Sequence, residues 1–334
     1  MRIVGRTTGQ TRRKRRRERV LKTIAVLPSL ATLGNLVCGL GAVYLCLLSV
    51  QAAGADLSTN TLNNARLENL FPTYLAIAAY LLMGAMVFDA LDGRLARFAR
   101  KTSEFGGQLD SLADIVSFGV APAVLVLCIV QPGHIADLTM WGRVYWRAEW
   151  VMAATFVCCA ALRLAKFNVE NVEDESAHLG FHGLPTPGAA AAIITLVILH
   201  EDLLKAVAPT SVCHVVARAL PPMAMVLGLL MVSRLPYLHL VNNLLRGRRP
   251  FRQVVAILIA GLIGLVVQFQ LTIALAAVAY ALSGPIIATT RHLRGQAPMS
   301  DTELDGEAPD WTTPGDLFED ADEDRDDDSA RPAI

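Results

Sequence analysis

DALDGRLARFARKTSEFGGQLDSLAD, residues 89–114, carries four aspartates: Asp89, Asp92, Asp110 and Asp114. It follows a long apolar run, Tyr74 to Phe88, and leads into another, Ile115 to Val130. Carboxylates at the edge of membrane-like helices are costly to place there, so they mark a functional site by default. Asp89 and Asp92 are spaced i, i+3 and project from one face of a helix. Gly93, Ala96 and Arg97 continue along that face. Gly106–Gly107 reads as a turn, and Asp110 and Asp114, spaced i, i+4, share a face of the next helix. If the two helices are antiparallel neighbours, the four carboxylates converge.

Outward from this stretch the chain is apolar. It has 334 residues, 53% of them hydrophobic, with a mean hydropathy of +0.43. Several runs approach the roughly 20 residues that cross a bilayer. The expected fold is all-α: a polytopic membrane helical bundle of about eight transmembrane helices with disordered polar tails. The expected spans are about Leu30–Val50, Tyr74 into the aspartate stretch, Gln108–Val130, Trp150–Phe167, Ala189–Leu204, Leu220–Val232 (entered through Pro221 and Pro222), Val254–Val267 and Leu271–Ala288. The last two form a hairpin turning near Gln268 and Gln270. Trp141, Tyr145, Trp146 and Trp150 fall where aromatic rings prefer to sit, at a membrane interface.

The net charge of zero conceals two opposite ends. A basic arm, residues 1–24, includes Arg12, Arg13, Lys14, Arg15, Arg16 and Arg17; the tail, residues 293–334, is acidic from Asp301 to Asp328, a stretch that ends in DLFEDADEDRDDD. Between them lies one membrane domain, residues 25–292. The arm suits anionic lipid rather than nucleic acid, and it is expected to be retained rather than cleaved as a signal peptide. Basic residues concentrate in segments 1–26, 93–106, 163–185, 234–252 and 290–334, whereas loop 51–72 holds Arg66 and loop 132–148 holds Arg143 and Arg147. That asymmetry places both tails and the aspartate stretch in the cytoplasm. The six cysteines form no CxxC pair and read as small packing residues.

Converging carboxylates repel one another in a low dielectric. Divalent cations relieve this, and all-oxygen ligands suit Mg²⁺ or Mn²⁺, which clamp diphosphates. Arg97 is placed to meet a phosphate. The bland alternative, in which the aspartates cap helices or pair with Arg94, Arg97 and Arg100, does not account for four of them at this spacing.

The stretch matches D-x2-D-G-x2-A-R-x8-G-x3-D-x3-D at every defined position, through Asp89, Asp92, Gly93, Ala96, Arg97, Gly106, Asp110 and Asp114. It thereby resembles the CDP-alcohol phosphotransferases, which displace CMP from a CDP-linked substrate with an alcohol. The resemblance implies that Asp89, Asp92, Asp110 and Asp114 ligate metal and that Asp114 is also the catalytic base. It implies that Gly93, Ala96 and Gly106 give the CMP moiety close backbone access, that Arg97 meets the diphosphate, and that Ser103 lies near the nucleotide. It also implies a homodimer.

LPSLATLGNLVCGLGA (27–42), ALRLAKFNV (161–169), FHGLPTPGAAA (181–191) and RLPY (234–237) resemble the phosphatidylserine synthases within this family. Lys166 stands where they usually have Arg. The implied substrates are CDP-diacylglycerol and L-serine. Arg163 and Lys166 could bind the serine carboxylate or the lipid phosphate, or serve only as positive-inside anchors. Asn35 and Asn168 could line the site but are expected to cap helices, and His182 could gate the site but is expected to be a solvated loop residue. Rival readings are a related enzyme using glycerol 3-phosphate or an inositol phosphate, a membrane prenyltransferase, and a cation transporter. The second aspartate motif of a prenyltransferase is missing, and a transporter does not explain Gly93, Ala96, Arg97 and Gly106.

Overall fold

The computed structural model describes residues 7–54, 73–99, 104–130, 139–173, 183–235, 237 and 251–294, with the side chains of 7–28, 54, 96–99, 104, 170–173, 251–254 and 257 excepted. The described residues are helical, without strands. Helix α1 spans Thr7–Gly54 and α2 spans Tyr74–Ala99. Helix α3 (Glu104–Asp114) runs through a π-helical segment, Ile115–Val120, into α4 (Ala121–Ile129). Helix α5 spans Met140–Glu173. Helix α6 (Thr186–Ile198) continues through a second π-helical segment, Leu199–Leu204, into the short α7 (Lys205–Val207). Helix α8 spans Thr210–Val232, α9 Phe251–Val267 and α10 Phe269–Leu293.

Six segments among the described residues are long and apolar enough to cross a membrane: Ser29–Ala53, Tyr74–Leu95, Phe105–Ile129, Met140–Val169, Thr210–Val232 and Phe269–Leu293. The two other expected spans correspond to shorter helices, α6 with 13 residues before its π-helical extension and α9 with 17. The elements are longer than the sequence suggests. Helix α1 begins at Thr7, so the backbone of most of the basic arm is continuous with the first span. Helix α5 begins ten residues before Trp150, taking in the interfacial aromatics, and Pro221 and Pro222 lie inside α8 rather than at its start. Tertiary packing overrides a local breaker when neighbouring groups re-satisfy the freed backbone.

Small residues let the helices meet closely. A side chain at Gly34 would collide with the Phe88 ring and one at Gly41 with Leu81, which pairs α1 antiparallel to α2. A Cβ at Gly39 would lie 2.4 Å from Ser117 Oγ and 2.9 Å from its Cα, so α1 presses onto the first π-helical segment there. Helices α5 and α8 run in the same direction, with Gly228 against the Phe156 backbone. Phe118, Leu125, Phe156, Ile193, Ile194 and Ile198 are fully buried where α4, α5 and α6 converge. Leu33, Val37, Leu40, Tyr44 and Leu47 form an exposed apolar stripe along α1, as a bilayer-facing helix requires. The cysteines are free, and Cys38, Cys46, Cys128 and Cys159 are buried packing residues.

Candidate active site

The aspartates gather at one end of the bundle. Asp89 and Asp92 come from the C-terminal half of α2, Asp110 and Asp114 from α3. Carboxylate oxygens of Asp89, Asp92 and Asp110 lie within 4.8 Å of one another. Asp114 sits one turn deeper along α3, buried to 8% exposure, where the π-helical segment begins. Such π turns recur at functional sites because they re-aim a helix without breaking it.

The inter-helix turn is not at Gly106–Gly107. Both glycines are inside α3, which starts at Glu104. Gly93 is exposed beside Asp92, and a Cβ built on it meets nothing within 4 Å. Among the described residues, the space beside Gly93 is therefore open. Ala96 and Arg97 lie in α2, but their side chains are outside the described residues, as is all of Ser103.

Helix α1 supplies partners that its sequence disguises. Thr32 Oγ1 donates to Asp92 Oδ2 at 2.9 Å. Asn35 Nδ2 donates to Asp114 Oδ1 at 3.0 Å. Asn35 is completely buried and is not a cap; it sits in the middle of α1, and its backbone carbonyl accepts from Ser117 Oγ at 2.9 Å. Asn168 lies inside the last turns of α5, where its Nδ2 donates to Ser111 Oγ at 2.9 Å and ties α5 to the aspartate helix. Thr32 and Asn35 are spaced i, i+3 within an otherwise apolar span. Two polar side chains on one face of such a span are the signal that could have identified them.

Arg163 and Lys166 lie at the same end of α5. Arg163 Nη1 donates to the Met231 carbonyl at 3.3 Å, under a loop in which Gly183 adopts φ +84°. Only glycine fits there, because a Cβ would lie 2.5 Å from the Met231 oxygen. Tyr237 donates to the Ala281 carbonyl at 3.0 Å and tilts against Tyr280. Burial pushes its phenol up to about 12, so it remains a neutral donor. Lys166 is exposed. His182 lies outside the described residues.

The donor set fits a hard divalent cation. Three carboxylates from two helices converge, and among the described residues the buried Asp110 Oδ1 has no hydrogen-bond partner. Oxygen-only ligands of this kind suit Mg²⁺ or Mn²⁺.

Residues 25–230, more than half of the chain, match the CDP-alcohol phosphatidyltransferase family. The chain belongs to this family. Within the CDP-alcohol phosphatidyltransferases it is similar to the CDP-diacylglycerol–serine O-phosphatidyltransferase of Helicobacter pylori strain J99, at 37% identity over 123 residues, covering 37% of this chain and 46% of that protein. It is similar to the enzyme of the same name from Methanocaldococcus jannaschii, at 32% identity over 161 residues, covering 48% of this chain and 63% of that protein. The Saccharomyces cerevisiae protein of that name is 37% identical over 128 residues, covering 37% of this chain and 42% of its own length. The chain thus matches about half the length of these relatives.

Proposed function

We propose that the chain transfers the phosphatidyl group of CDP-diacylglycerol to the hydroxyl of L-serine, giving phosphatidylserine and CMP. The observation that carries this reading is the convergence of Asp89, Asp92 and Asp110 within 4.8 Å, with Asp114 buried beside them and held by Asn35. The names of the relatives support serine as the acceptor.

Asp89, Asp92 and Asp110, with Asp114 completing the set, would hold Mg²⁺ or Mn²⁺, which offsets diphosphate charge and polarises the phosphoryl group. By the family resemblance, Gly93, Ala96 and Gly106 would let the CMP moiety approach the backbone, Arg97 would meet the diphosphate, and Ser103 would contact the nucleotide. Serine Oγ attacks the phosphorus that bears diacylglycerol. A new Oγ–P bond forms, the bond from that phosphorus to the bridging oxygen breaks, and CMP leaves with that oxygen. Asp114 takes the serine hydroxyl proton. Asn35 orients the Asp114 carboxylate for this transfer, and Thr32 does the same for Asp92. Arg163 and Lys166 would receive the serine carboxylate or the lipid phosphate.

The distribution of basic segments supports a site on the cytoplasmic face of the cell membrane, with residues 25–292 as the catalytic membrane domain, 1–24 as a lipid-touching arm and 293–334 as a polar tail. The resemblance to the family also supports a homodimer. The test is to supply CDP-diacylglycerol with labelled serine, glycerol 3-phosphate or an inositol phosphate. Label from serine alone should enter lipid; label from either phosphorylated acceptor in its place would reassign the acceptor.

A further inference from the structure

At the end of the bundle opposite the aspartates lies a cavity of ≈ 1090 Å³. It is walled by the starts of α5 and α8, the ends of α1 and α4, and the extension of α6. Tyr145 in this wall and Arg163 at the aspartate end are 18 residues apart on α5, or ~27 Å at the helical rise. The cavity is therefore separate from the catalytic end. Its volume is at the upper limit of small-ligand pockets, which run to roughly 1,000 Å³.

Its lining is chemically divided. Trp141, Tyr145 and Trp146 give it an aromatic wall of the kind found at a membrane interface. Glu149 lines it at 4% exposure, and the Arg218 guanidinium is the opposite charge that faces this carboxylate. The Tyr145 hydroxyl donates to the Arg218 backbone carbonyl, which fixes α8 against α5 here. Among the described residues, however, no ion pair joins Glu149 to Arg218. His200 and Lys205 also reach the cavity but are committed to the fully buried Glu201, at 3.0 and 2.7 Å.

A buried carboxylate without a direct cationic partner is costly. A ligand that brings an ammonium group offsets that cost, and the neighbouring indole rings favour the same charge. Arg218 at the mouth suits a phosphate. We propose that this cavity binds the zwitterionic head group of a phospholipid, its ammonium on Glu149 and its phosphate on Arg218. The interfacial aromatic wall favours a lipid over a free zwitterion, because a lipid presents its head group at that depth.

The full-length protein in detergent is titrated with dihexanoyl phosphatidylethanolamine, dihexanoyl phosphatidylglycerol and soluble glycerophosphoethanolamine, read by tryptophan fluorescence. Phosphatidylethanolamine should bind saturably and at least ~10-fold more tightly than either of the others, a difference of about 1.4 kcal/mol. Glu149→Gln should remove the preference for phosphatidylethanolamine over phosphatidylglycerol; Arg218→Gln should weaken both lipids. If Glu149→Gln does not fold, Arg218→Gln, at an exposed position, decides alone. Equal affinity for the two lipids in the unaltered protein, or unchanged affinity in Arg218→Gln, would overturn the proposal. Equal affinity for glycerophosphoethanolamine would overturn the lipid assignment.

Discussion

Asn35 and Asp114 are 79 residues apart in the chain and joined by a 3.0 Å hydrogen bond. The donor amide is itself fixed, because the Asn35 carbonyl accepts from Ser117 just beyond Asp114. Helix α1 therefore sets the orientation of the deepest carboxylate of the site. Asn35→Ala should lower kcat by ~10- to 100-fold, the range expected when a supporting partner is lost. The KM for CDP-diacylglycerol should change much less. Steady-state kinetics on the purified variant check this split, and an unchanged kcat would remove Asn35 from the machinery.

Thr32 holds Asp92 as Asn35 holds Asp114. Thr32→Val preserves shape and deletes the donor. The concentration of Mg²⁺ or Mn²⁺ that half-activates the enzyme should rise by ~10- to 100-fold. Activity at saturating metal should recover most of the loss. A metal titration reads this directly.

Among the described residues, Gly93 opens onto space, with nothing within 4 Å of a built Cβ. Gly93→Val should leave thermal stability near that of the unaltered protein while CMP binding falls ~100-fold, as a misplaced ligand would. Gly39 behaves in the opposite way. Its Cβ would strike the Ser117 backbone, so Gly39→Ala should cost ~1–3 kcal/mol through overpacking. Thermal unfolding in detergent, run beside a CMP-binding assay, separates the two glycines.

At the far end, Glu201 is fully buried and accepts from Thr73 at 2.6 Å while pairing with His200 and Lys205. Removing one member of such a network leaves the rest uncompensated. Glu201→Ala should destabilise the protein by ~3–5 kcal/mol, with the KM for CDP-diacylglycerol unchanged in the protein that remains folded.

The aspartates were legible because their spacing is local: i, i+3 and i, i+4 put each pair on one face whatever the rest of the chain does. The helical membrane architecture was legible for a similar reason, since apolar runs as long as Tyr74–Phe88 and Ile115–Val130 carry their own signal. The partners of the aspartates were not. Thr32 and Asn35 reach Asp92 and Asp114 from another helix, and nothing within residues 27–42 encodes that distance. Asn35 was expected to cap a helix because asparagine favours caps, yet α1 runs far beyond it in both directions. Gly106–Gly107 suggested a turn on local propensity, and the helix carried through. Pro221 and Pro222 suggested a helix start for the same reason, and α8 begins eleven residues earlier at Thr210.

The most direct test of the account is Asp114→Asn, which keeps the size of the side chain and removes its capacity to take a proton. CMP release from CDP-diacylglycerol in the presence of serine should fall by at least ~10²- to 10⁴-fold, the contribution of a general base. Binding of CMP, measured on the same preparation, should remain detectable. Serine-dependent CMP release at the unaltered rate would contradict the assignment of Asp114 as the base at the centre of this site.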